Sequence, residues 1–353
     1  MFARFYRHDG NNFTFISAIQ DIISYDYTKR WTKSGDFSLV LPYDSALLKK
    51  IKMNDFVEYD GDWLFIENIR YDMQTISLLG HDAKQLLYLR ISALGSLSDQ
   101  FDGITGTTAE CIRYFLDKNI ISPVDSVREL PVFWKNGAVG LNDDGYMTKL
   151  ENIGDIVEKL CNSAGIGYEL KGNLTRNRFD FQLKNTVDKS KNQSQNTRVI
   201  FSAERQNLTS VEFEHDETNL YNAITAQGAG TLEVIYRDNN MPVNISRREC
   251  TLDVSVNSIS EIRKAALFAA EENIDTHTCS LKVPASDYET KFSLGDIVSV
   301  RDDALNNYFS AVITEVHVNQ SAASYSVDIT LGQQKPKLLN KITHNMLYGI
   351  KKG

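Results

Sequence analysis

The feature that most constrains this chain is a short pattern that occurs twice. Residues 52–59 read KMNDFVEY, and residues 293–300 read SLGDIVSV, about 240 positions later. In both segments apolar residues alternate after an aspartate. Such a match arises by coincidence in any β-rich protein, so the surrounding sequence decides whether it is a repeat.

The sequence upstream of the two segments also matches. An alternating strand closed by proline precedes each one, FSLVLP at residues 37–42 and CSLKVP at residues 279–284. Twelve residues separate Pro42 from Asp55, and eleven separate Pro284 from Asp296. The order and the spacing of the features are therefore both kept.

Two downstream strands continue the match. DWLFIENIR at residues 62–70 corresponds to SAVITEVHV at residues 310–318, and TISLLG at residues 75–80 corresponds to VDITLG at residues 327–332. Aligning the two final glycines puts the apolar alternation out of phase by one residue, which predicts a bulge or a slip in one copy. We predict two versions of one antiparallel β unit, which are too few for a solenoid or a propeller. They span residues 37–80 and 279–332.

Between the two copies the sequence predicts helices. Thr107 and Glu110 form a capping box, and the apolar stripe behind it predicts a helix to about residue 119. Two further helices are predicted from Thr148, ending near Gly165, and from Ser258; each has a glutamate three residues on and an apolar stripe behind it.

A polar segment and several strands complete the middle of the chain. NTVDKSKNQSQNT at residues 185–197 holds one apolar residue and predicts an exposed loop. Strands are predicted at residues 198–203, 210–216, 221–230 and 231–238.

Composition excludes several functional classes. The 353 residues are 42% hydrophobic and 24% charged, which predicts a folded protein of two or three domains. A net charge of −8 with both signs interspersed argues against a general nucleic-acid-binding surface. No apolar run reaches the roughly 18 residues of a membrane-spanning helix, and MFARFYRHDG lacks the apolar stretch of a signal peptide, so we expect folding in a cytoplasm. Four cysteines without a CxxC pair are expected to be small buried hydrophobes: Cys111, Cys161, Cys250 and Cys279.

No pattern in the sequence predicts a catalytic, cofactor-binding or metal-binding residue. GxSxG, HExxH and GxxxxGK[ST] motifs are absent, and no two of the six histidines lie three or four residues apart. The turn at residues 102–106 lacks the lysine of a phosphate-binding loop and is interpreted as a glycine turn into a helix. His81 and Asp82 are interpreted as a hydrogen-bonded turn at a strand end. Adjacent carboxylates do not face each other on a helix or strand, so three acidic pairs are interpreted as solvated surface. They are Asp143-Asp144, Glu271-Glu272 and Asp302-Asp303.

Several strand motifs resemble the tail-hub proteins of bacteriophages and related phage-tail-like particles. The motifs are WTKSGDFSLVLP from Trp31, GHDAKQLLYLR from Gly80, VIFSAERQNL from Val199, NAITAQGAG from Asn222 and SLGDIVSV from Ser293. The resemblance covers about residues 20–335. In this family the module is the baseplate hub of contractile tails, or the N-terminal structural part of tail-associated lysins and siphophage tail-tip proteins.

The resemblance implies an α+β, mainly β fold. It implies two homologous small antiparallel β-barrel (tube) domains, a mixed α/β peripheral domain, and assembly as a homotrimer. Three chains with two tube domains each would present six similar units, so that a six-fold tail tube docks onto a three-fold tip. The expected boundaries are 1–95 for the first tube domain, 96–199 with 236–284 for the peripheral domain, 200–235 with 285–335 for the second tube domain, and 336–353 for a C-terminal arm.

The resemblance also implies partners and a location. The expected partners are a distal tail ring protein, the C-terminus of the tape-measure protein and a spike or fibre protein, with genomic DNA at most passing through the lumen. The expected location is the distal tail or baseplate of a virion, after assembly in the host cytoplasm. About 20 residues follow the second tube domain, so we expect no attached peptidase or glycosidase domain and no enzymatic activity. The lysine-bearing arm is either a docking segment or a frayed basic terminus, and both interpretations remain open.

Two other functions remain open from the sequence. Trp31, Trp63 and Trp134, with 16 tyrosines, supply the aromatic residues that a host-surface carbohydrate-binding face would use, although aromatic residues near strands more often belong to a core. A wall-degrading hydrolase whose catalytic carboxylates lie far apart in the sequence would leave no spacing signal.

Overall fold

A computed structural model describes most of the chain. The described residues are 2–92, 102–135, 146–148, 150–218, 220–228, 231–236, 243–253, 276–303 and 306–332. They form a mainly β fold in which antiparallel pairing dominates, as predicted. The chain divides into two compact units, one of Met1–Glu212 with Ser280–Leu331 and one of Phe213–Cys279 with Gly332–Gly353.

The elements are numbered here in chain order. The strands are β1 Ala3–His8, β2 Phe13–Ile19, β3 Ser24–Arg30, β4 Asp36–Pro42, β5 Phe56–Tyr59, β6 Asp62–Tyr71, β7 Thr75–Asp82, β8 Asp102–Ile104, β9 Val132–Trp134, β10 Tyr146–Thr148, β11 Ile166–Asn173, β12 Arg178–Asn185, β13 Val187–Asp188, β14 Ile200–Phe201, β15 Ser210–Asp216, β16 Ala223–Gly228, β17 Thr231–Tyr236, β18 Glu249–Asp253, β19 Thr276–Val283, β20 Asp296–Asp302, β21 Asn307–Ser321 and β22 Tyr325–Gly332. The α-helices are α1 Ser45–Leu48, α2 Gln85–Tyr88, α3 Thr108–Leu116 and α4 Ile153–Ala164.

The main sheet contains the predicted repeat. Its neighbouring strands run in the order β15-β19-β22-β21-β3-β4-β7-β6-β5-β1-β2, and β20 pairs with β21. We call β3 to β7 the first copy, and β15 with β19 to β22 the second copy. The first copy has the order β3-β4-β7-β6-β5, and the second has β15-β19-β22-β21-β20, so each strand has a counterpart with the same neighbours. Across the described residues this order does not return to its first strand, so the sheet is open there and is not a closed barrel.

The glycine alignment that predicted a slip is wrong, because the two copies are in phase. Each copy has a bulge at the same place, between Ile66 and Asn68 in β6 and between Ile313 and Glu315 in β21. Ile66 lies opposite Gly80, whereas Ile313 lies opposite Leu331. Gly80 therefore corresponds to Leu331 and not to Gly332, which follows it. With this alignment the buried residues of the last strand coincide: Ile76 and Leu78 in β7 match Val327 and Ile329 in β22.

The aspartate of the repeated pattern makes the same turn in both copies. The Asp55 carboxylate accepts a hydrogen bond from the backbone N–H of Lys52 at 2.7 Å, and the Asp296 carboxylate accepts one from Ser293 at 2.8 Å. The residue before each aspartate has a positive φ, 70° for Asn54 and 91° for Gly295, a conformation that favours Asn and Gly. Both of these residues also donate their N–H to the carbonyl before the bulge, that of Ile66 or Ile313.

A basic side chain holds each of these aspartates. Arg7 of β1 donates two hydrogen bonds of 2.7 Å to Asp55, and Lys189, which follows β13, lies 2.8 Å from Asp296. Both aspartates are buried, so the basic partner offsets the free-energy cost of removing the carboxylate from water. The neighbouring strands differ in direction, because β1 pairs antiparallel with β5 whereas β13 pairs parallel with β20.

The first unit has two apolar cores. One fills the first copy and includes Phe5, Tyr25, Tyr27, Leu39 and Leu64. The other packs α3 and α4 against β9, β11 and β12, with Ile112, Phe115, Ile156, Phe179 and Phe181 completely buried.

The predicted helix starts are confirmed in one case and corrected in another. The capping box of Thr107 and Glu110 is present at the start of α3, which continues as a π-helical turn over Asp117–Ile121. Helix α4 begins at Ile153 with Asn152 as its N-cap, not at Thr148. Thr148 ends β10 instead, and its hydroxyl donates to the Glu151 carboxylate at 2.6 Å. The helix predicted from Ser258 and the C-terminal arm lie outside the described residues.

The predicted loop at residues 185–197 is only partly a loop. Val187–Asp188 forms β13, and Lys191 donates its N–H to the Ser299 hydroxyl at 2.9 Å. Ser190 is buried, whereas residues 194–197 are exposed as predicted. The sequence prediction missed this strand because its composition is polar and because its partner, β20, lies about 110 residues further along the chain.

Candidate functional site

The two copies join through one strand, β3, which belongs to the first copy. β3 pairs antiparallel with β4 and, on its other edge, with β21 of the second copy. The β3–β21 ladder runs over seven residue pairs, from Arg30 opposite Glu315 to Ser24 opposite Ser321. The sequence prediction missed β3, although the alternation of SYDYTKR, with Tyr25 and Tyr27 both 3% exposed, was a usable signal.

Charged side chains reinforce this junction. Arg30 donates from Nε to Glu315 Oε1 at 3.0 Å and also pairs with Asp36. Burial lowers the pKa of Arg30, but its bonds to Asp36 and Glu315 outweigh burial and raise the pKa above its ordinary value. Four residues before Arg30 on β3, Asp26 Oδ2 lies 3.0 Å from His317 Nε2 and accepts a hydrogen bond of 2.8 Å from Asn319.

Buried Lys84 fixes the end of β3. Its Nζ donates to the Arg30 carbonyl at 2.6 Å and lies 4.7 Å from the centre of the Tyr168 ring. Burial lowers the pKa of Lys84 and raises that of the neighbouring carboxyl, Asp82. Asp82 accepts hydrogen bonds from the Tyr27 hydroxyl at 3.0 Å and from two backbone N–H groups, which makes the turn interpreted for His81 and Asp82.

The three tryptophans are packed within the first unit. A Cβ atom on Gly167 or on Gly295 would lie within 2.4 Å of the Trp31 ring, so Trp31 is held between two glycines. Trp63 is 7% exposed and contacts Gly172, and Trp134 stacks on Phe181 with ring centres 5.3 Å apart. Trp31 and Trp134 are half-buried.

An open groove of about 640 Å³ lies beside Trp63 in the first unit. Four of its charged side chains form two pairs: Arg4 lies 2.6 Å from Glu58, and Glu169 lies 3.2 Å from Lys171. Lys135 and Asp180 also line the groove.

The residues considered for chemistry are dispersed. Among the described histidines, His215 and His277 stack with ring centres 4.0 Å apart in the second unit. Cys111, Cys161 and Cys279 are buried, as predicted, and Cys250 is half-buried. In the part of the chain that is described, no group of three His, Cys, Asp or Glu side chains is arranged to hold a metal ion. Asp102 accepts from the Tyr114 hydroxyl at 2.7 Å and Lys118 Nζ at 2.5 Å.

Of the three acidic pairs, Asp302-Asp303 lies within the described residues. Asp303 pairs with Arg301 at 2.9 Å at the end of β20. The pairs at residues 143–144 and 271–272 lie outside the described residues. None of the helices described combines the length and the apolar character required to span a membrane.

Solved structures of phage tail proteins share this fold. A 43 kDa tail protein of prophage MuSo2 from Shewanella oneidensis superposes with a TM-score of 0.58 at 13% identity, covering 93% of this chain and 97% of that one. A tail protein from Neisseria meningitidis MC58 gives 0.57 at 15% identity, covering 94% and 97%. Prophage tail protein gp18 from Listeria monocytogenes EGD-e gives 0.52 at 12% identity, covering 96% and 97%. No curated protein matches the chain by sequence.

The fold is thus the fold of phage tail proteins. The chain belongs to the Siphovirus ReqiPepy6 Gp37-like protein family, whose model matches residues 7–333. The resemblance to phage tail proteins inferred from the strand motifs is confirmed.

Proposed function

We propose that this chain is a trimeric hub at the distal end of a phage tail, where it adapts a six-fold tail tube to a three-fold tip. The observation that carries the proposal is the internal repeat. Two copies share their strand order, bulge and aspartate turn, so one chain supplies two similar units. Three chains then supply six such units around an axis, the number that a six-fold tube requires.

The proposal assigns a role to each part of the chain. Residues 1–95 and 200–235 with 276–335 are two tube domains, the second extended from the predicted 285 to include β19, because β19 lies in the second copy. Residues 96–199 with 236–275 form the peripheral domain, and residues 336–353 are an arm toward the tip. The core of α3, α4, β11 and β12 also contains Tyr6, Phe56 and Trp63, so this part of the peripheral domain packs directly on the first tube domain.

The proposed partners follow from this position. A distal tail ring protein lies on one side of the hub, and a spike or fibre protein lies on the other, with the tape-measure C-terminus in the lumen. The chain acts as a structural adaptor and not as an enzyme, after assembly in the host cytoplasm. The packed positions of the three tryptophans give no support to the alternative of carbohydrate binding.

Copy number and position in the particle test this function. Light scattering of the purified chain should give the mass of three chains of 39.9 kDa. Electron microscopy of particles that carry a labelled chain should place three copies in one ring at the distal tail. A chain that stays monomeric at all concentrations, or six copies per ring, would refute the adaptor.

A further inference from the structure

An exposed apolar surface with two arginines lies beside the end of α2 in the first unit. Four of its side chains are apolar and exposed, and Val124 and Val127 are the most exposed of them. Arg90 and Arg128 join its two segments, because Arg90 Nε donates to the Arg128 carbonyl at 2.8 Å and Arg128 donates to the Ile91 carbonyl. We call this surface the arginine patch, and it consists of Leu89, Arg90, Ile91, Val124, Val127 and Arg128.

The loop that carries the two valines is held by its own hydrogen bonds. The Asp125 carboxylate accepts the Val127 N–H at 3.2 Å, at the start of a short 3₁₀ helix, Ser126–Arg128. After this helix, Leu130 donates its N–H to the Ile120 carbonyl at 2.9 Å. The valines are therefore displayed on an ordered turn. Apolar side chains that cluster in this way on a surface mark a contact with another molecule.

The two arginines have backbone carbonyls as their partners. Arg90 donates to the carbonyls of Arg128 and Leu89, and Arg128 donates to that of Ile91. Within the part of the chain that is described, neither arginine forms an ion pair with a carboxylate. A guanidinium has five N–H donors, so most of those of Arg90 and Arg128 remain for a ligand.

The charges of this pair are also unfavourable to each other. Burial lowers the pKa of Arg90, and the positive charge of Arg128 lowers it further. Arg7 and Arg30, in contrast, each bind a carboxylate of this chain. A carboxylate from outside the chain would neutralise both members of the arginine pair, and arginine with carboxylate is among the strongest hydrogen-bonded pairs in proteins.

We propose that the arginine patch binds a segment of another protein in which carboxylates alternate with apolar residues. The carboxylates accept hydrogen bonds from Arg90 and Arg128, and the apolar side chains cover Val124 and Val127. Arginine within an apolar patch is the composition that protein–protein contacts favour. The proposal does not depend on the trimeric hub, because all of these residues belong to one chain.

The surroundings of the patch favour a protein partner over a lipid surface. Asp125 is exposed and lies between the two valines in the sequence. Insertion of the valines into an anionic membrane would bring this carboxylate to the lipid headgroups, which repel it. A protein segment can place its own carboxylates on the arginines and leave Asp125 in water.

Three labelled peptides of one design test the recognition by fluorescence anisotropy. The first is acetyl-Gly-Leu-Glu-Leu-Glu-Leu-Gly-amide, and the other two have Gln or Lys in place of both Glu residues. The Glu peptide should bind at least about tenfold more tightly than the Gln peptide, because an ionised acceptor strengthens each hydrogen bond. The Lys peptide should not bind at concentrations up to about 1 mM.

Variants of the chain locate the binding. Arg90→Gln with Arg128→Gln should remove the preference for the Glu peptide, and Arg128→Gln alone should reduce it if the double variant does not fold. Val127→Ser should weaken the binding of the Glu and Gln peptides equally. Arg4→Gln removes a positive charge from the groove beside Trp63, and Met73→Ser removes an exposed apolar side chain elsewhere. Neither of these two controls should change the affinity of any peptide.

Four results would overturn the proposal. They are equal affinity for the Glu and Gln peptides, loss of binding in the Arg4→Gln control, binding to phosphatidylglycerol vesicles in place of the Glu peptide, and a lower oligomeric mass of the Arg128→Gln chain. The last result would make the patch a contact between copies of this chain. A monomeric chain that binds the Glu peptide would support the patch and refute the trimeric hub, and a trimer that binds no peptide would do the reverse.

Discussion

The duplicated aspartate turn gives a matched pair of perturbations within one molecule. Asp55 and Asp296 are 1% and 5% exposed, and each accepts one backbone N–H bond. They differ in their basic partner, since Arg7 binds Asp55 through two bonds and Lys189 binds Asp296 through one. Removing one partner of a buried ion pair costs roughly 3 to 5 kcal/mol, and less where the remaining charge can reach water.

The side chains of Arg7 and Lys189 are 37% and 23% exposed, so both charges regain water after the substitution, and the lower end of the range applies. We expect Asp55→Ala to lower the free energy of unfolding by about 3 kcal/mol and Asp296→Ala by about 2 kcal/mol. The Asn variants at the same positions keep an acceptor for the turn, so each should cost about 1 kcal/mol less than its Ala variant.

Urea unfolding followed by tryptophan fluorescence measures these costs, because all three tryptophans lie in the first unit. Asp21→Ala, at an exposed position, is the control and should stay within about 0.5 kcal/mol of wild type. The reasoning is refuted if both Ala variants unfold like this control, or if Asp296→Ala costs more than Asp55→Ala.

Three further predictions concern burial, backbone access and pH. Val57 and Val298 are both 0% exposed, so replacing either with Asp should leave no soluble folded chain. Ile297 is half-buried on β20, so Ile297→Asp should remain soluble. Equal solubility of all three variants would contradict the alignment of the copies. Limited proteolysis with mass-spectrometric mapping should cut first at residues 194–198, and a first cut between 187 and 191 would show that β13 is not held by β20. Burial lowers the pKa of His8, whose ring nitrogen Nε2 lies 3.0 Å from the Asn177 carbonyl and whose Nδ1 accepts a hydrogen bond from the Gly10 N–H. As the pH falls, the unfolded chain therefore binds a proton at His8 before the folded chain does. The free energy of unfolding should fall as the pH drops below about 6.5. His8→Gln should remove that part of the pH dependence, and an unchanged slope of stability against pH between 7.5 and 5 would contradict it.

Much of the repeat was predictable because alternation records which face of a strand is buried. FSLVLP and CSLKVP bury the same three positions, Phe37, Leu39 and Leu41 in one copy and Cys279, Leu281 and Val283 in the other. The glycine alignment failed because Gly80 and Gly332 are not equivalent residues: Gly80 lies opposite Ile66, whereas Leu331 and not Gly332 lies opposite Ile313. Glu67 and Thr314, which occupy the two bulges, share no chemistry that would reveal them.

The junction of the copies was not predictable in the same way. A strand pair is a local pattern only when its partner is near in sequence, and β3 and β21 lie about 290 residues apart. Arg30, Asp26 and Glu315 look like ordinary surface charges in the sequence, and only the ladder brings them together. The start of α4 shows the same limit. Thr148 and Glu151 match the sequence pattern of a helix cap, but Thr148 pairs with Asp102 in the β8–β10 ladder and is therefore part of a strand.

The junction between the two copies should hold when the proposed trimer dissociates, which gives a last prediction. This junction has seven residue pairs on β21, a strand of 15 residues. It also forms within one chain, where the effective concentration of the two strands is high and independent of dilution. Serial dilution should therefore dissociate the trimer into folded monomers that keep the tryptophan fluorescence of the native first unit. Analytical ultracentrifugation and fluorescence on the same dilution series measure the two events. A loss of native fluorescence at the same concentration as the loss of trimer would mean that the chain has no stable folded monomer, and that the junction inside the chain does not hold the two copies together by itself.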